Sequence, residues 1–590
     1  MPGNDLHIGN LVGSRKQVIL PAKARGRHTY ISGGTGVGKS KFLEDCIQQD
    51  ILNWRDSRCG LLLLDPHGLV YKNTMNWLAS SGLKRPVVPI DLHRDDWIIS
   101  YNLLRKRKGA DEAVVVADFV KALAYVWGEG GTDGTPLFAR WATVILLTLY
   151  MSGNTISDFP HLMARDDVRQ AMIARLGDQN ARNAWEFAKR NRKEFDTQMT
   201  STLNRFNRMS GPRIMNATFG QPDASFDLLT AIEEGQIVLV NLSRKGGTIA
   251  QEDADTYATI LLADLWAAAA SRDKQEEERV KPFYVYVDEC QRFITPTIAD
   301  NLDEARGYGL HLTLANQYPS RFLHAGPHGQ AMYDSIWANA HNKICFKQSH
   351  PADAKSLGEW LFMNTFDTDE VKHEIWSTKV VGTREVVRES TTEGTSHTKA
   401  TSTSTGGGSF HGQSLGEGIG GTESFHPDDL DEPAALAAAW NSSIADSSGE
   451  SENWSSSESE AIGTNSSKTK STADVSIFQK ELSSRQYRSV EEQVFRAMQK
   501  VFDQEDRHYA IRFHGGPKAP LFVKTPTVDS GAPNPKRVQK YREKLLRRLP
   551  FAKPMTEAMK QIEGREQKLL TELVQIAEVT EPVTAGRRVK

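Results

Sequence analysis

At 590 residues, with 72 basic and 74 acidic side chains and a formal charge of −2, the chain has room for several domain-sized units of roughly 100 to 200 residues each and carries no global basic field that would announce nucleic acid. Its four cysteines, Cys46, Cys59, Cys290 and Cys345, are scattered without Cys-x-x-Cys or Cys/His spacing, which argues against a disulfide scaffold and a structural zinc site and suits a reducing cytoplasm. The start, Met1 to Asp5, lacks a charged n-region and an apolar h-region; Ala142 to Met151 is too short to span a bilayer and Tyr257 to Ala270 is interrupted by Asp264, so no transmembrane segment is expected.

The first predicted strand, His28 to Ser32, runs into Gly33-Gly34-Thr35-Gly36-Val37-Gly38-Lys39-Ser40, and helical periodicity follows from Lys39 to Asn53 through Phe42, Leu43, Cys46, Ile47 and Ile51. Strand, Gly-x4-Gly-Lys-Ser and helix in that order form a phosphate-binding loop. The glycines let backbone N–H groups turn inward around a β-phosphate at the positive end of the helix, Lys39 reaches the β and γ oxygens, and Ser40 ligates Mg²⁺. ATP and Mg²⁺ are therefore the expected cofactors. Strands at Leu61 to Asp65 and Pro86 to Asp91 complete a first core segment, residues 1–105.

Residues 106–225 read as an inserted all-α domain, with Val114, Val115, Phe119, Leu123 and Val126 on one helical face and Trp141, Ile145, Leu146 and Leu149 on another. Within it Arg182, Lys189, Arg190, Arg192, Lys193, Arg205 and Arg208 accompany Trp185, Phe187, Phe195 and Phe206. Basic residues interleaved with aromatics suit a nucleic-acid grip. A solvated helix with core aromatics fits equally, given Glu186, Glu194 and Asp196.

The core resumes over residues 226–388. Gln236 to Asn241 reads as a strand, Asp253 to Arg272 as a long helix, and Phe283 to Val287 as a strand buried on both faces that ends in Asp288-Glu289. Asp288 is assigned to the metal and Glu289 to the base that polarises the attacking water. The next strand, Leu310 to Ala315, ends in Asn316-Gln317, where Gln317 can sense the γ-phosphate. Arg306, just before that strand, is of the residue type that stabilises charge on a transferring phosphoryl group from across a subunit boundary; taken alone, it is an ordinary surface residue. A further strand is expected over Asn342 to Phe346. Strands alternating with helices indicate a doubly wound, mostly parallel α/β sheet.

Residues 389–475 are rich in Ser, Thr and Gly and cannot bury enough apolar surface to offset ordering entropy, so a flexible segment is expected, with one short helix at Glu432 to Trp440. Gly412-Gln413-Ser414-Leu415-Gly416 matches a hydrolase nucleophile elbow formally, but no strand precedes it and no apolar helix follows. Order returns over residues 476–530, where the capping box Ser489-Val490-Glu491-Glu492 opens a helix and strands at His508 to Phe513 and Leu521 to Lys524 extend the sheet edge. The tail, residues 531–590, sets Lys536, Arg537, Lys540, Arg542, Lys544, Arg547 and Arg548 around a stripe of Val538, Tyr541, Leu545 and Leu549. It suits DNA, an anionic membrane surface or an acidic partner, and equally a peripheral packing helix.

Arg27-His28, Leu61-Leu62-Leu63-Leu64-Asp65-Pro66-His67-Gly68, Val287-Asp288-Glu289-Cys290-Gln291-Arg292-Phe293, Glu304-Ala305-Arg306-Gly307-Tyr308-Gly309-Leu310 and Ala315-Asn316-Gln317 together resemble the HerA/FtsK superfamily of ring ATPases, and within it the TraD/TraG-like coupling proteins of conjugative type IV secretion. The resemblance spans roughly residues 5–361 and 482–528. It implies a RecA-like P-loop NTPase that assembles as a homo-hexamer, hydrolyses ATP and moves DNA through a central channel, with secretion or relaxosome-type protein partners. It further implies that Arg306 is offered to a neighbour's nucleotide, that Arg27 is a second basic residue near the phosphates and that Gln317 is the γ-phosphate sensor. The chain departs from membrane-bound relatives in showing no transmembrane helices, and from the HerA type in having too few residues ahead of Arg27 for a β-barrel. A cytoplasmic place, or a peripheral one at the inner membrane, is expected. The alternative function is a P-loop ATPase switch acting on protein partners, in secretion or in gating a nuclease in phage defence.

Overall fold

Leu61–Asp65, Ile237–Asn241 and Phe283–Val287 are buried at every position, an environment that a parallel sheet covered on both faces provides. In the computed structural model, which describes residues 4–105, 111–126, 136–244, 246–272, 280–293, 302, 304–325, 327–397 and 462–580, these segments lie in an eleven-stranded sheet. The strands in chain order are β1 (Leu6–Leu11), β2 (Gln17–Leu20), β3 (Thr29–Ser32), β4 (Leu61–Asp65), β5 (Val87–Asp91), β6 (Trp97–Ile99), β7 (Ile237–Asn241), β8 (Phe283–Val287), β9 (Leu310–Asn316), β10 (Asn342–Phe346), β11 (Val371–His397), β12 (Ile462–Tyr487), β13 (His508–Arg512), β14 (Leu521–Lys524) and β15 (Ala552–Pro554). The large sheet has the order β2-β1-β14-β13-β10-β3-β9-β8-β4-β7-β5. It is parallel from β10 to β5 and antiparallel from β10 to β2, the mostly parallel α/β class expected from the sequence.

Helices cover both faces. The Lys39–Ser57 and Leu69–Ser81 helices pack Phe42, Leu43, Ile47, Val70 and Met75 onto one face with Leu61, Leu63 and Leu239. Helices between Glu112 and Phe219 build a core on the other, where Trp141, Phe159, Phe195 and Phe206 are continuous with Leu62, Val240 and Val285. The helical insertion is thus welded to the sheet through one apolar core.

The tail packs as well. The Pro535–Leu546 helix sets Val538, Tyr541 and Leu545 against the core, and buried Arg542 donates to both oxygens of Asp96, at 3.0 and 2.8 Å. Beyond it β15 pairs with β6, and Arg565 of the Met555–Thr580 helix donates to Gly220 O at 2.7 Å and Thr155 Oγ1 at 2.9 Å in the insertion. The apolar stripe of this tail is therefore a packing face, and its free charges, Lys536, Lys540, Lys544, Arg547 and Arg548, point outward.

A second unit begins at Asp367 and ends at Ser489, and its described residues, 367–397 and 462–489, are built on an antiparallel ribbon of β11 and β12. This corrects the boundaries expected at 388, 389 and 475. The chain leaves the core at Asp367, and 389–397 and 462–475 are strand rather than flexible coil. Composition misled because a two-stranded ribbon satisfies its backbone by pairing and needs no apolar core, so exposed Ser, Thr and Lys are compatible with it. The expected helix at Glu432 to Trp440 and the Gly412 to Gly416 match lie outside the described residues.

Candidate nucleotide site

β3, β4, β8 and β9 are parallel neighbours or near-neighbours, so their carboxyl ends open on one edge, where an open α/β sheet binds ligands. The phosphate loop leaves β3 there. Gly33 N–H donates to Asn316 O at 3.3 Å and Gly34 N–H to Lys347 O at 3.2 Å, so the ends of β9 and β10 hold the loop. Gly36 (φ +85°) and Gly38 (φ +109°) take left-handed conformations closed to most side chains. The loop tip, Thr35 and Gly36, is exposed, while Val37 and Lys39 are buried and Ser40 is half-buried at the first turn of the helix. Gly38 caps that helix with no side-chain acceptor, leaving its first-turn N–H groups for an anion.

Lys39 turns to the acids at the end of β8. Its Nζ lies 3.2 Å from Glu289 Oε1 and 3.6 Å from Asp288 Oδ1, with all three side chains buried. Burial pushes the Asp288 carboxyl up and Lys39 opposes the shift only in part. Burial acts on Glu289 in the same sense, but Lys39, the Gln291 amide 2.6 Å from Oε2 and the Arg321 guanidinium 3.2 Å from Oε2 outweigh it and hold this carboxyl below its ordinary value. Glu289 is also one of the few non-glycine residues at positive φ (+48°), a strained turn that aims the acid at the loop. Asp65, at the end of β4, accepts the N–H groups of His67, Gly68 and Tyr71 at 2.8–2.9 Å; burial pushes it up to about 6. Its turn carries exposed His67, whose Nε2 is 3.9 Å from Glu289 Oε1.

The structure thus gathers the loop residues Gly33 to Ser40, Asp288 and Glu289 on one edge. Gln317 lies there too, half-buried just past β9. Asn316, beside it, is fully buried: it accepts from Tyr30 and donates to Tyr318 O. The two expected arginines are elsewhere. Arg27 precedes β3 and exposed Arg306 precedes β9, so both stand at the amino edge of the sheet. At about 3.3 Å per residue, β3 alone keeps Arg27 more than 10 Å from its own phosphate loop. Arg27, expected near the phosphates, thus lies at the sheet edge opposite this chain's own loop. Both arginines do share a locale, since each helps, after burial, to lower the pKa of His341 at the start of β10.

Sequence reasoning missed Arg321, Gln291, the role of Asp65 and His67, and Arg507, whose backbone N–H donates to Val37 O of the loop at 2.8 Å. Only Asp65 and His67 left a trace, in the resemblance. Arg507 is 470 positions from Val37, and no local pattern announces such a contact.

The aromatics of the insertion lie differently from a stacking platform. Trp185, Phe195 and Phe206 are in the core, Phe187 is half-buried, and Arg190 and Arg192 face Glu186 and Asp196. No base can stack on rings that are buried; exposed Lys189, Arg190, Arg192, Lys193 and Arg208 offer charge only.

Residues 282–415 match the family described as the TraM recognition site of TraD and TraG. The bacterial conjugative coupling protein TrwBdeltaN70, in its unbound form, superposes with a TM-score of 0.50 at 13% identity, over 90% of this chain and 91% of that one. The fold is that of the conjugative coupling protein TrwB. Two further similarities are looser: TrwB in complex with ADP and Mg²⁺, at 16% identity over 58% of this chain and 75% of that one with a TM-score of 0.39, and VirB4 of Thermoanaerobacter pseudethanolicus, at 14% over 60% and 86% with a TM-score of 0.38. No curated protein matches the sequence. Among the described residues, no helix is long and apolar enough to cross a membrane.

Proposed function

We propose that the chain is an ATP-hydrolysing motor that assembles as a hexameric ring and translocates DNA in conjugative or type IV secretion-like transfer. The observation that carries this reading is the Lys39–Asp288–Glu289 constellation against the phosphate loop, set in a coupling-protein fold. The residues suit MgATP. The first-turn N–H groups of the loop helix have no side-chain cap and are open to phosphate, and Lys39 is held by carboxylates that a triphosphate can replace as its counter-charge. Among the described residues no three His, Cys, Asp or Glu side chains cluster as a metal cage, which matches Mg²⁺ held by Ser40, one carboxylate, water and phosphate oxygens. When bound, the ion supplies charge neutralisation at the β and γ oxygens.

In this reading Asp288 orients the metal, Glu289 takes the proton of the attacking water, and Gln317 reports loss of the γ-phosphate. Arg306 and Arg27 serve the nucleotide of the adjacent subunit. The segment matched to the TraM recognition site supports a relaxosome-type protein partner. The deciding experiment is hydrolysis by the full chain with no DNA, single-stranded DNA or double-stranded DNA. A motor gains severalfold in turnover with one of them; indifference to both would favour a switch acting on proteins.

A further inference from the structure

Arg507 stands outside every motif of the sequence yet lies against the phosphate loop. It sits between the Val490–Phe502 helix and β13, in a left-handed conformation (φ +66°) that glycine or asparagine would adopt at lower cost. Its N–H donates to Val37 O at 2.8 Å, and its Cα would be 3.3 Å from a Cβ on Gly38, so its backbone packs directly on the loop. That contact needs no side chain. The exposed guanidinium nevertheless is positioned: Nη2 donates to Pro526 O at 3.1 Å and lies 3.5 Å from Thr527 Oγ1, and among the described residues no carboxylate pairs with it. The segment after β14 then runs along the first turns of the loop helix, where Lys41 Nζ donates to Ser530 Oγ at 2.7 Å and Gln48 Nε2 to Asp529 O at 2.8 Å.

These contacts fix a direction. Asp288, Glu289 and Lys39 mark the γ end of the loop, and the helix N-terminus marks the middle phosphate. The α-phosphate, ribose and base must leave past Ser40, beside Lys41 and the Arg507–Ser530 wall. Hydrogen bonds to Pro526 and Thr527 lie in the guanidinium plane and leave its faces free to stack.

We propose that Arg507, with the Pro526 to Ser530 segment, forms the base subsite of the nucleotide site, the guanidinium stacking on the base of the bound nucleoside triphosphate. Stacking uses a π-face that adenine and guanine share, so the subsite holds either purine with similar gain. This inference rests on the nucleotide reading above.

The test uses the full chain with Arg507→Gly, which keeps the N–H and relieves the left-handed strain, and Arg507→Lys, which keeps the charge without the plane. Binding of AMP-PNP, GMP-PNP and inorganic tripolyphosphate, each with Mg²⁺, is measured by calorimetry. Both variants should bind the two nucleotides on the order of tenfold more weakly, as expected for one cation–π contact, and tripolyphosphate as tightly as before. Intact tripolyphosphate binding itself shows that the loop is folded. Unchanged nucleotide affinity, or an equal loss for tripolyphosphate, overturns the base subsite while the nucleotide site stands. Failure of the unaltered chain to bind any of the three ligands would instead remove the nucleotide reading, and the subsite with it.

Discussion

Lys39 and Glu289 are each other's partner in this structure, and that pairing makes their roles separable. Lys39→Ala removes the cation that neutralises phosphate, takes from buried Asp288 its lysine and leaves Glu289 to Arg321 and Gln291, so ATP binding should be lost. Glu289→Gln keeps the shape and a hydrogen-bonding partner for Lys39, so binding should survive while hydrolysis falls about 10²- to 10⁴-fold, the usual worth of a general base. Filter binding beside a phosphate-release assay checks both; undiminished turnover would remove Glu289 from the role. Arg321 sharpens the argument through pH. It is among the groups holding the Glu289 carboxyl below its ordinary value, and kcat/KM reports the free enzyme. A base must be ionised, so Arg321→Ala should move the acid limb of the kcat/KM profile to higher pH; a limb that stays in place means Arg321 does not tune Glu289. The loop and the acid pair were legible in the sequence because spacing along one strand–turn–helix dictates their chemistry. Arg321, Gln291 and Arg507 were not, because their contacts exist only once distant segments are folded together.

Among elements, the buried strands were the most readable. β10 falls on its expected residues, and β3, β4, β8 and the Gln251–Ala270 helix within one or two, since near-continuous apolar runs admit few alternatives. β1 and β2 went unread: their buried side chains, Leu6, Ile8, Val18 and Leu20, are two residues apart in short strands of this half-covered edge. The ribbon was misread for the reason given above. β9 carries a measurable signature in His311, whose ring meets Tyr284 edge to face with centroids 5.5 Å apart and whose buried Nδ1 has no hydrogen-bond partner among the described residues. Burial, with Arg25, His28 and Arg306 nearby, pushes its pKa down to about 3. The folded chain thus binds fewer protons than the unfolded one between pH 6.5 and 3. Stability from neutral His311 is fully present above pH 6.5 and is lost as pH falls, by at most about 1.4 kcal/mol per unit. His311→Phe should flatten that acid limb in urea titrations at several pH values; an unchanged slope would show that His311 is not neutral and buried. Arg542 tests the tail. Arg542→Met leaves half-exposed Asp96 to Arg94 and buried Asp91 to the Asn241 amide, and should cost about 1–3 kcal/mol, read as a lowered urea midpoint; no loss would mean that the helix docks through its apolar stripe alone.

At the scale of the whole molecule, the sheet separates two sets of charges that phosphoryl transfer needs together. The phosphate loop and acids stand at the carboxyl edge, and Arg27 and Arg306 at the amino edge of the same subunit. β9 alone, seven residues long, spans roughly 20 Å, beyond the reach of any arginine side chain. In the proposed ring, both arginines therefore serve the nucleotide of an adjacent subunit, and hydrolysis requires assembly. Turnover should rise more than linearly with protein concentration. Arg306→Ala should lose about 10³-fold or more with little change in ATP binding, as arginine fingers do, and Arg27→Ala should show the same split between binding and turnover. Because the loop and the arginine come from different chains, mixing Arg306→Ala with Lys39→Ala subunits should regenerate interfaces that pair an intact loop with an intact arginine, and with them some activity. The control is co-assembly, read by light scattering. If mixed rings form and stay inactive, or if a dilute monomer hydrolyses ATP at the full rate, the arginines do not act in trans, and the separation across the sheet would need another explanation.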